Sequence, residues 1–205
     1  MIGALIVRDI RRASSGLAWL PVAFFLLVVA LMPFAVGPDA RLLGRIGSGV
    51  LWVAALTAAL LPIERLIEPD RADGVLDQLT LHGVADESVA FAKILAHWLT
   101  FGPLLLIAAA FGAALLSMDG RTLIAAEIAL LIGTPGLAAL AVTIGAVTSG
   151  LPRAGPLAAL LLLPLAVPLL IFGAANAWLL EAAVSLFLTA GAPFVAGAAI
   201  RAART

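Results

Sequence analysis

Residues 156–175 read PLAALLLLPLAVPLLIFGAA, twenty consecutive positions without a charged side chain. A helix needs about 20 mostly apolar residues to cross a bilayer, because the hydrocarbon core is about 30 Å thick. A helix that is apolar on every side is buried in a large core or in lipid. The stretch therefore predicts a membrane-spanning helix.

Five further stretches of the chain have the same character. In lipid every backbone N–H and C=O group must be paired within the segment, so these stretches are expected to be helices. The alternation typical of a β-barrel strand is absent from them. We predict an all-α polytopic membrane protein, a single transmembrane domain over 1–205, with six spans at 17–36, 46–63, 94–117, 123–148, 156–175 and 178–200.

The composition supports this class and excludes several others. Hydrophobic residues make up 63% of the 205 residues, charged residues make up 12%, and the mean hydropathy is +1.17. Soluble domains have about 45–50% apolar and about 25% charged residues. The net charge is zero and no basic stripe is present, which argues against nucleic-acid binding. No cysteine and no G-x-x-x-x-G-K-[ST] run occurs, so thiol chemistry and a P-loop are excluded within the chain.

The distribution of Lys and Arg predicts the orientation, because short cytoplasmic loops carry an excess of both. With both termini in the cytoplasm, three cations fall on the outer side: Arg41, Arg45 and Arg121. The other nine fall inside: Arg8, Arg11, Arg12, Arg65, Arg71, Lys93, Arg153, Arg201 and Arg204. We expect a multi-pass membrane protein with its N- and C-termini in the cytoplasm.

The first residues, 1–15, form a small amphipathic unit. Ile2, Ile6 and Ile10 recur every fourth residue and share one face of a helix. The cations on the opposite arc are Arg8, Arg11 and Arg12. The pattern predicts a helix that lies in the membrane interface with its arginines near anionic headgroups. The alternative is an ordinary basic flank of the first span.

The break between the second and third spans is acidic. Seven of the twelve Asp and Glu residues lie between positions 64 and 93. Pro69 is expected to end one helix, Asp70 to cap the next with support from Asp73, and Gly83 to end it. We predict a cytoplasmic coupling segment over 68–85 on which a soluble subunit docks. Its candidate docking residues are Asp73, Gly74, Val75, Leu76, Asp77, Gln78, Leu79 and His82.

Glycine and proline interrupt the fourth and fifth spans. Gly133, Thr134 and Pro135 are expected to kink the fourth span and to let another backbone approach. Pro164 and Pro168 place the fifth span inside the bundle, where neighbours pair the freed carbonyls. We interpret these five residues as mobile elements. The alternative is the ordinary frequency of Gly and Pro in membrane helices.

Lys93, His97 and Trp98 form a cluster at the inner end of the third span. One interpretation is an anchor at headgroup depth, and the other is contact with a partner subunit or an anionic ligand. The middles of the spans otherwise lack ionisable residues, which argues against a proton-coupled carrier and a catalytic site. No metal motif is present, although a haem axial ligand needs only one residue, which leaves His82 and His97 open.

Short stretches in a fixed order resemble the CcmB family of cytochrome c maturation proteins, also called haem exporter protein B. The resemblance covers about 8–201. The stretches that carry it are 34–38 (FAVGP), 49–56 (GVLWVAAL), 64–66 (ERL), 73–79 (DGVLDQL), 92–98 (AKILAHW), 133–135 (GTP), 163–165 (LPL) and 168–172 (PLLIF). Asp77 departs from the pattern, where glutamate is expected, but keeps the charge.

The resemblance implies the permease subunit of an ATP-binding-cassette complex in the bacterial cytoplasmic (inner) membrane. Its ATPase is a separate chain, CcmA, and CcmC, CcmD and the haem chaperone CcmE complete the assembly. ATP hydrolysis is then coupled to haem export or to release of the haem-loaded chaperone. Two copies are expected per complex, and haem is cargo rather than a cofactor of this chain. The alternatives are a non-transporting scaffold and a stand-alone carrier or channel.

Overall fold

The computed structural model describes residues 2–14, 19–152 and 154–204, and every regular element in these ranges is an α-helix. The all-α prediction is therefore confirmed. The helices are α1 Ile2–Ser14, α2 Leu20–Val36, α3 Ala40–Leu60, α4 Ile63–Ala72, α5 Val75–Leu81, α6 Asp86–Leu115, α7 Gly120–Thr148, α8 Ala154–Ala174 and α9 Trp178–Ala202. Positions 1, 15, 17, 18 and 153, on which some predictions fall, lie outside the described residues.

Five stretches of the described chain are long and apolar enough to cross a membrane. Five of the six predicted spans correspond to them. They are Ala40–Ala72, which joins α3 and α4, and α6, α7, α8 and α9. The first predicted span corresponds to α2, which is apolar but only 17 residues long.

Helix α7 lies at the centre of the bundle and packs against α3, α4, α6, α8 and α9. Its most apolar stretch is 72% buried, more than that of any other long helix described. Trp52 from α3 and Leu105 from α6 are fully buried beside Leu130 and Leu137 of α7. The core therefore lies where α3 and α6 flank α7.

Small residues on α7 allow close helix contacts. At Gly136, whose backbone N–H donates to Ser185 Oγ at 3.1 Å, a Cβ atom would lie 3.1 Å from Ser185 Cα on α9. At Gly133 a Cβ would lie 2.3 Å from the Trp52 ring. The close approach predicted from the Gly-Thr-Pro-Gly sequence is thus present, and α7 runs through Pro135 without interruption.

The predicted position of the fifth span inside the bundle is wrong. Helix α8 lies at the periphery, and Pro164 is exposed. Only one narrow stripe of α8 packs inward. Its fully or nearly buried members are Ala158, Leu162, Ala166, Leu169 and Gly173. The helix is continuous through Pro164 and Pro168. Prolines within a span therefore do not show that the span is buried among the other helices.

The local prediction for 68–85 is partly wrong. Helix α4 continues through Pro69 to Ala72, and Asp70 is buried within it rather than capping a new helix. Helix α5 starts after Gly74, whose φ of +70° is left-handed, and no side chain caps its first turn. Gly83 follows the end of α5 with φ of +74°, as predicted for a helix stop.

The opposite end of the bundle has conventional caps. Asp39 accepts hydrogen bonds from the backbone N–H groups of Arg41 and Leu42 at the start of α3. Asp119 accepts from Thr122 at the start of α7. This hydrogen bond lowers the pKa of the Asp119 carboxyl. Two of the three predicted outer arginines, Arg41 and Arg121, lie in the first turns of α3 and α7, and Arg45 lies in the second turn of α3.

Candidate functional site

A buried carboxylate, Asp70 of α4, joins three helices at the end of the bundle opposite to these caps. Its side chain is 2% exposed. Arg8 Nη2 donates to one oxygen at 2.6 Å and Arg12 Nη1 to the other at 2.8 Å. Lys93 Nζ of α6 also donates to Asp70 and lies 3.3 Å from Asp9 Oδ2. Buried charges are tolerated when they are paired and hydrogen-bonded, and Asp70 meets that condition.

The same contacts correct the prediction for α1. Arg8 and Arg12 bind the protein's own carboxylates instead of pointing only at headgroups. Burial disfavours the charged form of Arg8, but the hydrogen bond from Arg8 to Asp9 and the nearby negative charges raise its pKa. Leu5 is the buried apolar residue of α1, while Ile2 is exposed. Helix α1 is therefore linked to α4 and α6 by ion pairs and packs against α6.

A cavity of about 360 Å³ lies beside this ion cluster. Asp70 and Lys93 form part of its wall, and His97 lies one helical turn further along α6. The His97 ring is buried and stacks on Phe101 with centroids 5.5 Å apart. Its Nε2 atom has no hydrogen-bond partner. Lys93 and His97 thus share one helix face, as their spacing predicts, and the structure shows that both also line this cavity.

The third member of the predicted cluster points elsewhere. Trp98 Nε1 donates to Thr134 Oγ1 of α7 at 3.2 Å. Thr134 is fully buried. Trp98 and Thr134 therefore serve the contact between α6 and α7, and the sequence cluster divides into a cavity pair and a packing residue.

Helix α5 is fixed by the C-terminal end of α9. Arg204 lies 3.2 Å from Asp77 and donates to the carbonyl oxygen of Leu76 at 3.0 Å. It also donates to Asp86 at the start of α6, at 2.7 Å. Arg201 pairs with Glu87 at 2.6 Å. One guanidinium thus connects three helices around the short α5.

The two faces of α5 differ sharply. Leu76 is buried and Leu79 packs on the core, so these predicted docking residues hold α5 in place. Asp77, Gln78 and His82 are exposed. Leu81, which the sequence analysis did not select, is 85% exposed. The exposed face of α5 therefore combines one apolar side chain, Leu81, with polar groups.

A further ion cluster links α4 to the turn between α7 and α8. Glu68 pairs with Arg71 at 2.6 Å. It also accepts hydrogen bonds from Ser149 Oγ and from the backbone N–H of Gly150, each at 2.8 Å. Gly145 of α7 meets α4 closely, since a Cβ there would lie 2.9 Å from the Ile63 carbonyl oxygen. Helix α4 is therefore attached on both sides.

The structure also reveals a buried carboxyl that was not among the residues selected from the sequence. Glu181, in the first turn of α9, is 0% exposed, and neither of its oxygens has a hydrogen-bond partner. The indole nitrogen of Trp52 is likewise unpartnered. Gly133 and Gly173 make room for both side chains.

A family model described as CcmB protein matches residues 1–203. The chain belongs to the CcmB family. The heme exporter protein B of Rhodobacter capsulatus is 44% identical, with 97% of each chain covered. That of Paracoccus denitrificans gives the same values. That of Escherichia coli K12 is 42% identical over 76% of this chain and 70% of that protein.

The residues matched by the CcmB family model include nearly all of the site described above. The matched range contains the whole ion cluster around Asp70, the cavity wall and all of α5. Arg204, which fixes α5, lies one residue beyond it. The family resemblance first noticed from short stretches is therefore confirmed over nearly the whole chain.

Proposed function

We propose that this chain is the membrane permease subunit of an ATP-driven complex that serves cytochrome c maturation. It lies in the bacterial inner membrane with both termini in the cytoplasm. Helix α2 supplies the sixth span, since 17 residues extend about 26 Å and reach the lower limit for a transmembrane helix. Helix α1 lies along the inner interface. The names of the relatives, heme exporter protein B, support haem handling as the task.

One observation carries the mechanical part of the proposal. Helix α5 presents exposed Asp77, Gln78 and Leu81 while its opposite face is anchored by Leu76. A short helix held in this way transmits force, because displacement of α5 displaces α4 and α6 with it. We propose that the ATPase subunit CcmA docks on this face. Acidic and apolar groups together suit a partner surface that offers basic residues around an apolar groove.

The remaining roles belong to other chains of the complex. This chain has no catalytic site and no cofactor of its own, ATP is hydrolysed on CcmA, and two copies of the permease assemble per complex. CcmC and CcmD complete the membrane assembly, and CcmE receives the haem. Work done through α5 drives either haem export or release of haem-loaded CcmE.

Copurification of the membrane complex tests the docking surface. Asp77→Arg and Leu81→Asp, made separately, are expected to reduce the CcmA recovered per permease at least fivefold. Arg41→Glu is the matched control, since it changes the charge by the same amount, with the opposite sign, at an exposed site at the other end of the bundle. Full recovery of CcmA with both α5 variants would exclude α5 as the docking element.

The alternative function is a scaffold that assembles the complex without transmitting force. The exposed polar end, with three linked helices, also suits this role. A CcmA variant that binds but does not hydrolyse ATP separates the two. The proposed permease then loses cytochrome c maturation while the complex remains assembled, whereas a scaffold retains both.

A further inference from the structure

We propose that the cavity beside Asp70 binds the headgroup of an anionic phospholipid, with the phosphodiester near Arg65 and His97. The inference goes beyond the proposed function, because it concerns a lipid site rather than cargo or docking. The cavity is bounded by α1, the start of α2, the α3–α4 junction and α6. These elements come together at the end of the bundle that is rich in Lys and Arg.

The charge balance of the wall selects an anion. Three cations line the cavity, Arg12, Arg65 and Lys93, against the carboxylates of Asp9 and Asp70. Arg12 and Lys93 are engaged by Asp70. Arg65 is exposed and makes no ion pair within the described residues. Arg8 shares the same two carboxylates, so cations outnumber carboxylates around the cavity and favour an anionic group such as a phosphodiester.

His97 provides a second, independent indication of a ligand. The ring is buried, it lines the cavity, and its Nε2 lacks a partner. A buried polar atom without a hydrogen bond costs about 1–3 kcal/mol and calls for an explanation such as an absent ligand. An Nε2–H group donates to a phosphate oxygen or to an ester carbonyl, both of which a phospholipid supplies at adjacent depths.

The apolar part of the wall fits the start of acyl chains. The cavity is also lined by four apolar residues, Leu20, Pro21, Leu61 and Phe101. Leu61 is exposed, as is Trp19 next to Leu20. Exposed Trp at a span end is typical of headgroup depth. The volume of about 360 Å³ holds a headgroup and its glycerol but not two complete chains, which are left to extend into the bilayer.

The test uses the full-length protein in nanodiscs of phosphatidylglycerol and phosphatidylcholine at equal amounts. Lipids that remain bound after release from the disc are identified by native mass spectrometry. We expect phosphatidylglycerol to be retained preferentially. Arg65→Gln and His97→Phe are expected to lower its retention about fivefold to tenfold, since each removes one hydrogen-bonding group. His97→Gln restores a donor and is expected to recover part of the loss.

Controls distinguish the lipid from other anions. Arg41→Gln, at the other end of the bundle, is expected to leave retention unchanged, and thermal melting verifies that every variant is folded. Equal retention of the two lipids would overturn the proposal. So would displacement of the bound lipid by millimolar inorganic phosphate or glycerol 3-phosphate, because the site would then recognise a free anion. Unchanged retention in Arg65→Gln and His97→Phe would place the lipid elsewhere.

Discussion

Replacement of Asp70 by asparagine is expected to release α1 from the bundle. Asp70 is the common acceptor of Arg8, Arg12 and Lys93. Its loss leaves the Lys93 side chain, 7% exposed, with only Asp9 at 3.3 Å. Breaking one side of a buried ion pair costs about 3–5 kcal/mol. The side chains of Arg8 and Arg12 are 35% and 50% exposed. Water can replace the lost carboxylate as their hydrogen-bond partner, so each lost ion pair costs only about 0–1 kcal/mol.

The remaining contact with Asp9 reduces the cost at Lys93, and we expect a total of about 3 kcal/mol. At about 1.4 kcal/mol for each factor of ten, the opening of α1 becomes roughly a hundredfold more frequent. The buried Leu5 still holds α1 in part, because covering a leucine side chain stabilises by about 1.5–3 kcal/mol.

Limited trypsin cleavage in detergent measures this opening, since α1 itself carries Arg8, Arg11 and Arg12. Asp73→Asn is the matched control, because its carboxylate is 62% exposed and lies 3.6 Å from Arg12. Double substitution of Asp70 and Lys93 by neutral residues is expected to increase the cleavage rate less than Asp70→Asn alone, because no unpaired buried charge remains. Equal cleavage rates in Asp70→Asn and Asp73→Asn would refute the reasoning.

Three other substitutions test the core and α5. Glu181→Gln is expected to change the free energy of unfolding by less than about 1 kcal/mol or to raise it, because the substitution removes the cost of burying a carboxyl group that has no partner. A large drop in the melting midpoint in detergent would contradict this. Gly173→Ala is expected to lower the free energy of unfolding by about 1–3 kcal/mol, since a Cβ would lie 2.1 Å from an indole carbon of Trp52. Gly49→Ala is the control in the same melting assay, because the space around Gly49 is open. Arg204→Gln is expected to speed hydrogen exchange in α5 about tenfold, while Arg201→Gln, which removes no contact to α5, is not; identical exchange in both would show that Arg204 does not fix α5.

The apolar spans were predictable because length and hydropathy are properties of single segments. The starts of α7 and α9 fall within three residues of prediction. The short helix α5 and its stop at Gly83 also followed from local chemistry. The peripheral position of α8 did not, because it depends on which stripe neighbours cover. Local rules describe a helix but not its surroundings.

In the candidate site, too, features within one helix could be predicted and contacts between distant segments could not. Lys93 and His97 were selected from their spacing, and they do share a cavity. Asp70 was assigned to a cap because Asp is common there, yet its partners lie 58 to 62 residues earlier and 23 residues later in the chain. No local pattern reports contacts at that separation. Leu81 was missed because exposure, not residue type, makes it distinctive.

The contact between Asp9 and Lys93 imposes an order of events during synthesis. The two residues are 84 positions apart, and at about 5–20 residues per second the ribosome needs roughly 4–17 s to add the second after the first. During that interval the first helix has been made, but Lys93, which pairs with both Asp9 and Asp70, has not. In the orientation proposed above, the arginines of α1 then lie beside the anionic headgroups of the inner leaflet. Nascent chains halted between positions 70 and 93 already contain the carboxylate that binds Arg8 and Arg12. They lack the cation that joins Asp9 to Asp70, so we expect α1 to be held less firmly in them.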